Sequence, residues 1–447
     1  MTRLTWLAGS IHVLPEGATH DAALLLRARA VRAFGDGFVS VLLPVYLTTL
    51  GFGAVKIGAI TTATLAGSAV LTLLVGFVAY RLPRRKLLLR VSALMVVTGL
   101  AFAFVHEFWP LVVIAFIGTM NPSSGDVSVF LPTEQALMAH TVVASQRTAL
   151  YARYSLVGAL VAAVGSLAAG LPDFLVNHTS WSSTNALGGM FVVYALLGLV
   201  AARYYGALSP SIETVAAPTG KPLEASRGIV YRLAALFSLD SFGGGFVVQS
   251  LLALWLFERF DLSVATAGTI FFWTGICNAF SQLAAPRLAA RIGLIQTMVY
   301  THLPANCFLI LAALMPSLPL AVTLLLVRSL LSSMDVPART SYVMAVVTPE
   351  ERPAAASVTN VPRSLAAAAS PMFSGYLLGL STFGWPLVIG GTLKGIYDLL
   401  LLSMFRRVKP PEEHDALPGT LHHLPSNQAR STSQSTLGAS LHSQGDN

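Results

Sequence analysis

The chain has 447 residues, of which 54% are hydrophobic and only 11% charged, with a mean hydropathy of +0.68 and a formal net charge of +8. A soluble domain carries about 25% charged residues, so this chain lacks the polar surface that water requires, and lipid has to cover it. Backbone amides in a bilayer must be satisfied internally, which leaves helices or closed barrels. The apolar runs are roughly 20 residues long and lack the alternation of barrel strands, so they read as membrane-spanning helices.

In chain order, residues 1–27 form an N-terminal segment with no signal-peptide pattern, broken at Pro15 and Gly17. Six apolar spans follow, near 28–51, 57–80, 87–106, 109–139, 146–170 and 186–206, and make a first half over 28–206. Residues 207–228 contain Pro, Ser and charge and read as a linker. Six more spans, near 229–257, 264–289, 293–315, 318–347, 354–379 and 383–405, make a second half over 229–405. The tail 406–447 is rich in Ser, Gln, His and Gly, and its composition predicts disorder. His422 and His423 in that tail read as solvated, and Cys277 and Cys307 read as buried thiols without metal spacing, so no metal or cofactor is expected.

The basic residues sit in short loops, which speaks against a nucleic-acid partner. Arg81, Arg84, Arg85, Lys86, Arg90, Arg147, Arg287, Arg291, Arg352, Arg406, Arg407 and Lys409 fall on one side of the membrane, and Lys56 and Arg259 on the other. By the positive-inside rule both termini are expected in the cytoplasm. The opposite loop near 171–185 holds Asn177-His178-Thr179, an acceptor sequence for N-glycosylation.

The chain also repeats itself. Ser123-Ser124-Gly125-Asp126-Val127 recurs as Ser332-Ser333-Met334-Asp335-Val336; Arg147 and Gly170 recur as Arg352 and Gly375; Asp36-Gly37-Phe38 recurs as Asp240-Ser241-Phe242. The matches share nearly one displacement, about 205 residues, each in the corresponding span, and imply two parallel six-helix repeats with a path between them.

Over roughly residues 25–407 the chain resembles the major facilitator superfamily. That family's loop signature, Gly-x-x-x-Asp-Arg-x-Gly-Arg-Arg, is met here by Gly76, Arg81, Arg84 and Arg85, while Tyr80 replaces the acid and Pro83 the second glycine. A fainter echo runs from Pro286 to Ile295, where Arg291 and Gly293 survive. The resemblance implies an all-α integral membrane fold of about twelve helices and secondary transport by alternating access. Without an acid at position 80, any latch between the halves must differ from the family's. The fourth-helix arginine and the fifth-helix Gly-Pro motif of drug–proton antiporters are missing, since these segments read Phe116-Ile117-Gly118-Thr119-Met120 and Gly158 to Gly165.

Ionisable residues inside spans are costly, about 2.5–3.5 kcal/mol each on insertion scales, and therefore mark pathways or pairs. Asp36, Asp126, Asp240, Arg328 and Asp335 are the expected substrate or proton pathway. Arg32, Glu134 and Arg339 are the expected gate or charge pairs. Asp126 lies beside Asn121-Pro122-Ser123-Ser124-Gly125, where the helix is expected to break. Arg32 and Asp36 are spaced i,i+4, and Arg328 is expected to pair with Asp335 or Asp126. Gly243-Gly244-Gly245 reads as a bending point or as close helix packing. Tyr46, Trp255, Phe271, Phe272 and Trp273 are candidate walls of an apolar pocket.

No nucleophile–base or metal motif of an enzyme occurs in the spans. The leading function is transport of a small organic solute, proton-coupled or facilitative, by a monomer in the cell membrane. Efflux is preferred for the aromatic lining; uptake symport and a non-transporting sensor or scaffold are the alternatives.

Overall fold

The computed structural model describes residues 14, 17–78, 83–123, 128–143, 146–213, 223–348 and 350–406. Asp126, Tyr80, Arg81 and the tail from Arg407, including His422 and His423, lie outside the described residues. Those described form helices and no strands: α1 (His20–Thr49), α2 (Ala54–Val78), α3 (Arg84–Phe104), α4 (Phe108–Ile117), α5 (Phe130–Met138), α6 (Arg147–Ala168), α7 (Leu171–His178), α8 (Ser183–Gly206), α9 (Arg227–Gly245), α10 (Gln249–Phe260), α11 (Val264–Ile292), α12 (Leu294–Leu314), α13 (Leu318–Ser332), α14 (Asp335–Ala345), α15 (Arg352–Leu380) and α16 (Trp385–Phe405).

Among the described residues, nine stretches are long and apolar enough to cross a membrane. Their apolar surface is turned outward: Phe104 and Trp109 are 72% and 74% exposed, which suits lipid and not water. The buried hydroxyls of Thr61 and Thr64 bond within their own helix, Thr61 donating to the Ile57 carbonyl at 2.9 Å and Thr64 to Ile60 at 2.8 Å.

Three expected spans are each split in two, and the sequence explains where. Pro122 lacks an N–H and its ring crowds the carbonyl four residues back, at Gly118, which is where α4 stops. Pro337 does the same to Ser333, the residue that ends α13. Proline alone does not suffice, since α15 runs unbroken through Pro362 and Pro371. In the seventh span α9 ends in Gly243-Gly244-Gly245 and α10 resumes at Gln249. The glycines also pack closely, because a Cβ on Gly245 would lie 2.4 Å from the Ala367 carbonyl of α15. The first span begins earlier than expected, at His20, because Ala22 and Leu24 to Leu26 carry the apolar packing further toward the N-terminus. Gly293 joins α11 to α12 with φ +91, a turn that disfavours any side chain.

The repeat is visible in side-chain geometry. Arg147 Nε donates to the Ala139 carbonyl at 2.9 Å, eight residues back, and Arg352 Nε donates to Met344 at 3.0 Å, also eight back. The same turn thus recurs between α5 and α6 and between α14 and α15.

We call proximal the end of the bundle where α1 begins and distal the end where it finishes. One hydrophobic core occupies the distal end and draws on both halves, with Phe38, Ile60, Met95 and Phe191 from the first and Trp255, Phe271, Leu309 and Leu387 from the second. At the proximal end each half keeps a core of its own, around Leu25, Leu88, Leu137 and Tyr205 in one and Leu233, Met298, Tyr342 and Leu401 in the other. The distal seam is tight. A Cβ on Gly58 of α2 would stand 2.9 Å from Gly375 Cα of α15, and one on Gly268 of α11 would stand 2.4 Å from the Ser166 carbonyl of α6.

Candidate functional site

Below the distal seam lies a cavity of ≈ 260 Å³. Leu65 and Ser123 of the first half contribute to its wall, and most of the rest comes from α9, α13, α14, α15 and α16. The break between α13 and α14 exposes irregular backbone at this depth, which is tolerated where it borders a cavity.

The wall carries six charged side chains, those of Asp240, Arg328, Asp335, Arg339, Arg363 and Lys394. Asp240 on α9 receives Lys394 Nζ at 2.6 Å and Arg339 Nη1 at 3.1 Å. Arg339 also stands 3.6 Å from Asp335, one turn earlier on α14. His302 Nε2 is 3.9 Å from Asp240, while His302 Nδ1 is 2.9 Å from Asp398, to which Asn306 donates at 2.8 Å. Arg363 Nε donates to Ser241 Oγ at 2.9 Å. Arg328 lines the same cavity, and its Nε is buried without a hydrogen-bond partner. The arrangement can hold a charged or polar group, and among the described residues it contains no nucleophile–base pair. No cluster of ligands suited to a metal ion occurs among the described residues.

A second buried cluster belongs to the first half and stays outside the cavity lining. Arg32 pairs with Glu134, which also accepts hydrogen bonds from the hydroxyls of Tyr154 and Tyr205. The Arg32 guanidinium lies 4.0 Å over the Phe130 ring.

Of the residues expected from sequence, Asp240, Arg328, Asp335 and Arg339 meet at the cavity, and Asp126 lies outside the described residues. Asp36 is buried in α1 and is not part of the lining. Two expected pairings change. Arg32 reaches across to Glu134 instead of forming its ion pair one turn along at Asp36. Asp335 takes Arg339 and not Arg328, since seven residues separate the latter by about 10 Å of rise and the α13–α14 break intervenes; the alternative pairing of Arg328 with Asp126 lies outside the described residues. The five aromatic candidates do not line the cavity: Tyr46 and Trp255 are fully buried in the distal core and Trp273 is half exposed on the outside. In the signature loop, Gly76 lies near the end of α2, and Arg84 and Arg85 open α3, with Arg85 donating to the Gly206 carbonyl.

His302, Arg363, Lys394 and Asp398 were not singled out from sequence. The signal was present, for each is an ionisable residue within a span, and Lys394 and Asp398 are spaced i,i+4.

The family model of the Major Facilitator Superfamily matches residues 25–327 and 233–433. The chain belongs to the Major Facilitator Superfamily. Its fold is similar to that of the nucleoside transporter NupG, with TM-score 0.68 at 14% identity over 87% of this chain and 100% of that one. A bacterial homolog of the human lysosomal transporter Spinster, solved inward-facing and unoccupied, gives TM-score 0.64 at 15% identity over 86% and 95%. The human organic anion transporter MFSD10 gives 0.61 at 17% over 85% and 98%. An uncharacterized membrane protein of Saccharomyces cerevisiae, YJR124C, is 25% identical over 434 residues, 89% of this chain and 97% of its own length. As a member of the superfamily, the chain is a multi-pass membrane transporter and not an enzyme.

Proposed function

We propose that this transporter carries a small organic solute by alternating access, with Asp240, Arg328, Asp335 and Arg339 at the solute site and Asp126 and Asp36 on the pathway. The observation that carries the reading is the distribution of the cores: the halves are fused distally and separate proximally, around a charged cavity. A structure of that kind suits the state sealed at the distal end. With the termini in the cytoplasm, as the distribution of Arg and Lys supports, the cavity would load from the cytoplasmic side in this state.

Proton coupling is the second reading, favoured by the Asp240–His302–Asp398 chain of contacts. The aromatic lining that favoured efflux is not at the cavity, and the residues present support efflux and uptake alike.

The test is flux of a broad solute panel in proteoliposomes containing the full-length chain, with and without an imposed pH gradient. Saturable flux is expected, and a response to the gradient would support coupling. Ligand binding with no flux under any gradient would leave the sensor alternative in its place.

A further inference from the structure

The cavity wall is not neutral. Among the described residues of the wall, Arg328, Arg339, Arg363 and Lys394 face Asp240 and Asp335, an excess of two positive charges. The excess is localised. Asp240 holds Lys394 and Arg339, and Asp335 stands beside Arg339, so these four compensate one another. Asp398, the acid bonded by His302 and Asn306, is not part of the cavity wall. Arg363 has, among the described residues, the neutral Ser241 hydroxyl as its hydrogen-bond partner. Arg328 forms no ion pair among the described residues, and its buried Nε has no hydrogen-bond acceptor. In the first half, by contrast, the buried Arg32 guanidinium is closed off by Glu134, Tyr205 and Ser128.

We infer that the transported solute is an organic anion whose carboxylate or phosphate group is bound by Arg328 and Arg363. An uncompensated cation at membrane depth is costly, and a guanidinium fork matches the oxygens of carboxylate and phosphate. A neutral or cationic solute would add nothing to offset the desolvation of either guanidinium. The cavity, ≈ 260 Å³, restricts the anion to metabolite size, at the small end of ligand pockets, which run from about 300 Å³ upward. The inference rests on the cavity being the solute site.

The test uses the full-length chain in detergent and its thermal unfolding midpoint at constant ionic strength. The probes are mono- and dicarboxylates and phosphate monoesters of up to about six carbons, each beside an uncharged and a cationic analogue of similar size. At least one anion is expected to raise the midpoint by about 2 °C or more at saturation, its analogues leaving it unchanged. Arg328→Gln and Arg363→Gln, singly and together, are expected to remove that shift while the protein stays monodisperse. Without any ligand, Arg328→Gln should match or exceed the wild-type midpoint, because it removes an uncompensated charge. The inference is overturned if no anion stabilises the wild type, if uncharged or cationic solutes stabilise it instead, if the anion shift survives in the double variant, or if Arg328→Gln lowers the ligand-free midpoint. Arg328-dependent anion binding without flux in proteoliposomes would overturn the proposed transport mechanism and leave only the anion site at Arg328 and Arg363 standing; flux of neutral solutes alone would overturn the anion inference and leave the transport mechanism standing.

Discussion

Glu134 and Arg339 stand 205 residues apart at corresponding places in the two repeats, and they carry opposite charges. The spacing is that of the Arg147 and Arg352 turns, so the correspondence is geometric as well as sequential. Glu134 gathers one arginine and two tyrosines away from the cavity, whereas Arg339 gathers two aspartates on its wall. One position therefore serves as an internal strut in the first half and as part of the charged wall in the second.

The strut should be costly to break. Both members of the Arg32–Glu134 pair are almost wholly buried, so Glu134→Leu strands a guanidinium and is expected to destabilise the protein by about 3–5 kcal/mol. Replacing both, as Arg32→Met with Glu134→Leu, should recover most of that loss, since an apolar pair needs no compensation. Thermal unfolding of the two variants checks this; a double variant as unstable as the single one would count against the pair being a strut.

Asp240 is the hub of the second cluster. Asp240→Asn leaves Lys394 without its carboxylate and Arg339 with Asp335 alone. Solute flux in proteoliposomes is expected to fall at least about tenfold, since one partner of a buried pair costs several kcal/mol to remove. Adding Lys394→Met should restore folding stability more than it restores flux. Near-normal flux in Asp240→Asn would take the hub out of the transport path.

The helices and the repeat were legible because both are one-dimensional: long apolar runs and a fixed displacement need no knowledge of packing. The break after α4 was legible from Pro122 for the same reason. Partner choice was not. A local rule pairs Arg32 with Asp36, one turn away, yet the partner taken is 102 residues distant; it succeeds for Arg339 and Asp335, which share a helix. Lys394 finds Asp240 across 154 residues, and only the rotation of α9 and α16 about their axes brings the two together. Spacing along a single helix does not encode that rotation.

Acid should act on one joint outside the spans. Glu351, ahead of α15, accepts the backbone N–H groups of Glu224, Ala225 and Ser226 at 2.8–3.0 Å, which ties the segment before α9 to the α14–α15 turn. The hydrogen bond from Glu224 foremost, with those from Ser226 and Ala225, holds its carboxyl at about 2, well below the ordinary 4.5. A depressed folded-state pKa means that the stabilisation is complete above 4.5 and is lost as pH falls through about 2. The gap in unfolding midpoint between wild type and Glu351→Gln should stay constant above about pH 5 and close as the pH approaches about 2. A gap independent of pH over that window would contradict the assignment.

The distal seam offers a way to shift the resting state without touching the cavity. A Cβ on Gly58 would lie 2.7 Å from the Pro371 carbonyl and 2.9 Å from Gly375 Cα, and both obstacles are backbone. Neither can rotate aside, so Gly58→Ala has to move α2 away from α15. Overpacking of this kind costs about 1–3 kcal/mol in the sealed state, which is about five- to a hundredfold in a two-state equilibrium. Ala54 is buried one turn earlier on α2, and its carbonyl would lie 2.5 Å from a Cβ on Gly375. In a chain lacking Cys277 and Cys307, a thiol introduced as Ala54→Cys should therefore react with a membrane-impermeant reagent faster when Gly58→Ala is also present. The distal end would then open more often, and solute access from that side should rise with it. Equal labelling rates in the two backgrounds would mean that the glycine crossing is only close packing and that the seal is held elsewhere along the distal core.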